Sequence, residues 1–162
     1  QVIDLIPNAD VQYDTGDANV AIDKAPMADL IFSCPPYGPL EVYSDKPDDL
    51  STMGPEQFDE VYASIIKKSC DKLKDDRFAC FVVGDYRDKE GNYTNFTGKT
   101  VQAFLDAGLK LYNEAILATP VGTAMLRAGQ FDKKRKLVKT HQNVYVFLKG
   151  DARKASDYVM DK

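Results

Sequence analysis

The chain has 162 residues, 44% of them apolar and 28% charged, the balance of one globular domain rather than of a disordered segment or two full domains. Its formal net charge is −4, and apolar stretches such as Phe78–Val83 and Ala115–Ala118 are strand-sized, which excludes a membrane-spanning helix. The three cysteines form no CxxC pair and His141 is the single histidine, so zinc sites, multi-histidine sites and Ser-His-Asp triads have little to rest on.

Val2–Ile6 reads as the end of a helix stopped by Pro7 and Asn8, and Val11–Tyr13 as a short strand running into Asp14–Asp17. Ala28–Ser33 is a compact apolar strand that must stop at Cys34-Pro35-Pro36-Tyr37-Gly38, because proline cannot donate to a ladder. A polar loop, Pro39–Gly54, follows. The next helix starts at Pro55, with Glu56 and Asp59 complementing its dipole. Phe58, Val61, Tyr62, Ile65, Ile66, Ser69, Cys70 and Leu73 recur along it at helical spacing on one face. Arg77–Val83 is a continuous apolar run, as in a strand covered on both faces. A helix over Thr97–Ala107 ends at Gly108, and strands at Leu109–Thr119 and Asn143–Lys149 close the pattern. The connection between these last two strands shows no helix, so they are expected to form an antiparallel hairpin.

This order predicts an α/β fold with a mostly parallel sheet over residues 1–150. Residues 151–162 form a polar tail, either a surface helix or loose chain. The odd cysteine count and the absence of a signal-peptide pattern at the N-terminus point to a reduced, cytoplasmic protein.

In open α/β sheets, ligands bind outside the carboxyl ends of the parallel strands. Asp17, Cys34–Gly38 and Gly84–Tyr86 reach that edge, and a final hairpin would bring Pro120–Gln142 to it as well. That segment carries Arg127, Lys133, Lys134, Arg135, Lys136 and Lys139 against Asp132 alone, a local +5 on a body of −9. It reads either as an anion-binding footprint or as a solvated surface loop. Cys-Pro-Pro-Tyr is either a rigid turn with a core tyrosine or a site of fixed carbonyls beside a flat ring. Asp85 is either a site acid or a strand-end cap.

The stretch DLIFSCPPYG, after VQYDTGDA and before RFACFVVGDYRD and KTHQNVYVFLKG, resembles in order the motifs of amino-group (N6-adenine or N4-cytosine) DNA methyltransferases. LEVYSD and DLSTM, at Leu40–Asp45 and Asp49–Met53, resemble a group of phage and bacterial DNA modification methylases. The resemblance implies part of a Rossmann-like fold that uses S-adenosylmethionine to methylate the exocyclic amino group of a base flipped out of double-stranded DNA, adenine before cytosine. It implies that the Cys34 and Pro35 carbonyls accept the amino hydrogens at the Cys34, Pro35, Pro36, Tyr37 motif. Tyr37 stacks on the base, and Asp17 and Ala18 contact the cofactor. No metal and no covalent intermediate are implied, and Cys34 lacks the rest of the cytosine-C5 pattern.

Two departures stand out. Cys34 replaces the usual Asp, Asn or Ser and is a weaker acceptor. The glycine-rich loop and first strands of the family are missing from these residues, so the other half is expected in cis or from a partner chain. Cofactor binding by the segment alone is expected to be weak, and a homodimer is a further partner state. An RNA or protein-glutamine methyltransferase, or a non-catalytic DNA-binding relative, are the alternative functions.

Overall fold

A computed structural model describes residues 14, 16–38, 42, 44–46, 49–120 and 122–160. The expected helix end at Val2–Ile6 and strand at Val11–Tyr13 lie outside the described residues. Strands β1 (Ala28–Ser33), β2 (Leu73–Val83), β3 (Lys110–Ala118) and β4 (His141–Lys149) form one sheet in the order β1-β2-β4-β3. The helices are α1 (Ala18–Lys24), α2 (Pro55–Lys72), α3 (Phe96–Asp106), α4 (Gly122–Met125), α5 (Gly129–Lys134) and α6 (Ala152–Met160). Among the described residues no helix is long and apolar enough to cross a membrane.

The sheet is mixed rather than mostly parallel. β1 pairs with β2 in parallel, but β4 is antiparallel to both β2 and β3. The C-terminal hairpin of β3 and β4 is present. Instead of adding at the edge, its second strand enters between β2 and β3, and its apolar run Val144–Leu148 suits a central position with neighbours on both sides.

α2 opens on Gly54 and Pro55 and buries Phe58, Tyr62, Ile66 and Cys70, one residue per turn on a single face. α3 buries Phe96, Thr100 and Phe104 in the same way. These stripes meet Ala79, Phe81, Val83, Tyr145 and Phe147 of the sheet in one core. Phe104 stacks on Phe147 at 3.9 Å and meets Phe81 edge-on at 4.8 Å. The buried Thr100 hydroxyl donates to the Phe96 carbonyl and lies 3.1 Å from the Tyr62 hydroxyl, so both polar groups are satisfied. Lys149 Nζ donates to the carbonyls of Cys70 and Leu73 at the end of α2, where the helix dipole favours a cation.

Helices α2 and α3 cover one face only. On the other, Phe78 and Cys80 are half-buried and their β1 partners Leu30 and Phe32 are exposed, so the expectation of a β2 strand covered on both faces is not met among the described residues. The connection between β3 and β4 holds α4 and α5, where no helix was expected. These helices, like α1, are too short for an apolar period to register. Of the residues beyond 150, read as helix or loose chain, Ala152–Met160 form α6.

α6 packs near the start of β2, with Ala155 buried and the Arg77 guanidinium 3.2 Å over the Tyr158 ring. Asp29 ties this corner together by accepting from Lys74 Nζ at 2.8 Å, Arg77 Nε at 3.1 Å and Tyr158 Oη at 3.2 Å. Hydrogen bonds from Lys74 and then Arg77 lower its pKa from 3.8 to about 2. Because the folded value is depressed, the stabilisation is complete above pH 3.8 and is lost as pH falls through about 2. Over that interval the wild type is expected to lose stability more steeply than Asp29→Asn, read as urea midpoints at fixed pH. Parallel curves would contradict the role given to this carboxylate.

Candidate active site

The carboxyl ends of β1, β2 and β3 and the start of β4 lie along one edge of the sheet. Ala118 pairs with His141, and Val83 with Asn143. The segment between β3 and β4 is closed at its base by Thr119 N–H donating to the Thr140 carbonyl at 2.9 Å. It therefore leaves from and returns to the edge that Cys34–Gly38 and Gly84–Tyr86 also reach.

Tyr37 is the centre of this edge. Its ring is half-buried, tilted against Phe96 at 5.8 Å and packed on the rim of the core. Its hydroxyl receives a hydrogen bond from Gln142 Nε2 at 2.7 Å and donates to the Val82 carbonyl at 3.4 Å, with Cys34 Sγ 3.6 Å away. Burial, and then the Cys34 thiol, raise the phenol pKa above its ordinary value, so the ring stays neutral. Gly38 turns the chain at φ +59, and the Tyr86 hydroxyl occupies the space a Cβ would need there. The motif is thus held from two sides, by Gln142 and by Tyr86.

Asp85 accepts from Phe96 N–H at 2.6 Å and from the Thr97 hydroxyl at 2.8 Å. Asn95, at the N-cap position of α3, makes no side-chain cap bond, so Asp85 caps that helix from the preceding loop. The cap it makes is at the start of α3 and not at the end of a strand.

A cleft of about 450 Å³ opens beside Pro36 of the motif. It is lined by Asp17, Ala18, Pro36, Ser44, Lys46 and Asp49, among others. Asp17 also caps α1 by accepting from Asn19 N–H at 2.8 Å. Asp49 lines the cleft too, accepting from the Ser51 hydroxyl at 2.7 Å and N–H at 2.8 Å and from the Ser44 hydroxyl at 2.7 Å. Those bonds, from Ser51 first and then Ser44, hold its carboxyl below the usual range. Asp17 and Ala18 so share one cleft with Pro36, from a different segment of the chain. Among the described residues no cluster of three metal-ligating side chains occurs.

The basic residues divide into two groups. Lys133, Lys134 and Lys136 line a notch of about 420 Å³ with Leu126, Gly129 and Gln130. Lys136 also lies over Gly91, where an added Cβ would fall 2.5 Å from Nζ, so the segment rests on the turn after β2. Arg135 faces the Phe131 ring, its guanidinium carbon 5.4 Å from the centroid. Arg127 and Lys139 sit nearer the base, Arg127 donating to the Lys139 carbonyl at 3.5 Å and Lys139 Nζ to Asn143 Oδ1 at 3.3 Å. Gln142 is the site residue the sequence reading missed. Its partner lies 105 positions away, and nothing local to Thr140–Asn143 signals the contact.

No family model and no curated protein matches the chain in sequence. Solved structures do match in fold. TTHA0409, a "Putative DNA Modification Methylase" from Thermus thermophilus, is 15% identical with a TM-score of 0.61, over 84% of this chain and 51% of that one. The same protein complexed with S-adenosyl-L-methionine is 14% identical with a TM-score of 0.59, over 84% of this chain and 52% of that one. PvuII DNA methyltransferase, cytosine-N4-specific, is 16% identical with a TM-score of 0.59, over 82% of this chain and 47% of that one. The chain shares their α/β fold and spans about half their length.

Proposed function

We propose that the chain is the catalytic segment of a DNA methyltransferase that acts on the exocyclic amino group of a flipped base. The proposed target is N6 of adenine, with N4 of cytosine the alternative. One observation carries the reading: the Cys34–Tyr37 motif touches both a cleft lined by Asp17, Ala18 and Pro36, through Pro36, and the base of the basic segment, through the hydrogen bond from Gln142 to Tyr37. A donor cofactor on one side, a reacting base at the motif and a phosphate backbone on the other is the arrangement such a transfer needs. The fold shared with structures of DNA methylases, one of them complexed with S-adenosyl-L-methionine, supports it.

The cleft suits the adenosine part of S-adenosylmethionine. It is large enough, it has an apolar floor at Pro36, Leu50 and Ile65, and the Asp17 carboxylate at its rim can accept from an amino group. Asp17 and Ala18 would hold that part, and the methionine part would be held by a glycine-rich loop elsewhere in the complete gene product, in cis or on a partner chain. The bound cofactor would supply an electrophilic methyl group on a sulfonium.

The chain's own residues then position the base. Pro35 and Pro36 fix the backbone, so the Cys34 and Pro35 carbonyls stand as rigid acceptors for the amino hydrogens. The Cys34 thiol lies against the Tyr37 hydroxyl, so the backbone carbonyls rather than this side chain take the acceptor role. Tyr37 offers its ring for stacking, and Gln142 holds that ring by its hydroxyl. Both adenine and cytosine present an amino group beside a ring nitrogen, so the same carbonyls serve either base. Lys133, Lys134, Arg135 and Lys136 neutralise backbone phosphates, with Arg127 and Lys139 behind them.

Tyr37→Ala in the complete gene product is expected to cut methyl transfer to DNA by tenfold or more, because a lost base stack costs about 1–3 kcal/mol. Gln142→Ala should lower kcat by several-fold with little change in KM, since it loosens a ring that still meets the base. Combining Gln142→Ala with Tyr37→Phe should be no worse than the poorer single variant, because both remove the same Gln142–Tyr37 hydrogen bond. Near-normal turnover in folded Tyr37→Ala would contradict the assignment.

Neutralising Lys133, Lys134, Arg135 and Lys136 together should weaken DNA binding and flatten its salt dependence, by roughly 0.9 in the log–log slope for each phosphate no longer neutralised. Unchanged affinity and slope, measured by fluorescence anisotropy across a salt series, would place the DNA-binding surface elsewhere.

A further inference from the structure

The segment between β3 and β4 is not only basic. α4 and α5 are joined by a turn over residues 126–128, tied by Arg127 N–H to the Ala124 carbonyl at 3.0 Å and Ala128 N–H to the Met125 carbonyl at 3.2 Å. Leu126 stands at the corner of that turn with 90% of its surface exposed, beside Met125 at 78%. Leu137, past the end of α5, is 74% exposed. Of these, Met125 and Leu126 are neighbours at the turn, and adjacent large apolar side chains held in water mark a contact surface where scattered single ones do not. This tip belongs to the +5 segment, and Leu126 itself forms the lip of the notch lined by Lys133, Lys134 and Lys136.

An apolar point set among ammonium groups complements a polyanion whose interior is apolar and whose charges lie outside. Duplex DNA has that character, with phosphates flanking a stack into which leucine or methionine side chains can wedge. The location agrees, since the segment returns through His141 and Gln142 to the edge that holds Tyr37. A base drawn out to Tyr37 leaves a gap in the stack that has to be filled or closed.

We infer that Leu126, backed by Met125, is a wedge that enters the base stack of duplex DNA while Lys133, Lys134 and Lys136 hold the flanking phosphates. This rests on the reading of the chain as a base-flipping DNA methyltransferase. The wedge works through shape and apolar contact, so its effect separates from that of the lysines.

The test uses the complete gene product and two duplexes of one sequence, one intact and one with a single abasic site, where the stack is already broken. Wild type is expected to bind the abasic duplex about tenfold more tightly. Leu126→Ala should lose most of that preference with the salt slope and thermal midpoint unchanged, and Leu126→Phe should retain it. A preference that survives in Leu126→Ala, alongside binding that still depends on the lysines, overturns the wedge and leaves the methyltransferase reading intact. Failure of wild type to bind either duplex overturns both. Sedimentation with phosphatidylserine vesicles that is lost in Leu126→Ala, with DNA binding untouched, would assign the tip to a membrane surface and overturn the wedge.

Discussion

The antiparallel ladders of β4 with β2 and β3 bring His141 beside Ala118 and Asn143 beside Val83. Had β4 added at the sheet's outer edge, Gln142 would stand a strand further from the end of β1. Inserted at the centre, its side chain reaches Tyr37 at 2.7 Å. The same strand supplies Phe147 to the core under α3 and Lys149 to the end of α2. One strand therefore links the stability of the helical layer to the geometry of the motif, and any disturbance of its register moves both.

The motif itself works as a partition. Pro36 faces the cleft that contains Asp17, while Tyr37 turns back toward Gln142, Val82 and Phe96. Two prolines without N–H donors make this alternation rigid, and Gly38 at φ +59 lets Tyr86 close over its end. Charge is partitioned as well. The acidic body carries the cleft, and the basic segment lies between the end of β3 and the start of β4, so a net charge of −4 is compatible with a polyanionic partner.

What the sequence made legible follows the range of the interactions involved. The stripe Phe58, Tyr62, Ile66, Cys70 is a local period and was readable, as were β1 and its stop at Cys34-Pro35. The C-terminal hairpin was expected from a connection read as free of helix; the antiparallel pairing is present, although that connection holds α4 and α5. The insertion of β4 between β2 and β3 was not expected, because strand order is decided by packing across the whole sheet and leaves no local mark. α1, α4 and α5 escaped because four to seven residues hold less than two turns of periodicity. In the site, the motif, Asp17 and the lysines were visible as residue types. The cleft joining Asp17 to Pro36, the Gln142 contact and the capping role of Asp85 needed the fold, since each joins segments distant in sequence or settles between two plausible local roles.

The central claim is that this sheet edge delivers the amino group of a flipped base to a methyl donor. Its most direct test is transfer of radiolabelled methyl from S-adenosylmethionine to duplex DNA by the complete gene product, followed by digestion to nucleosides and identification of the labelled one. The account predicts label in N6-methyladenine, or in N4-methylcytosine, and its loss in Tyr37→Ala. Label at cytosine C5, or in RNA or protein with none in DNA, would contradict it.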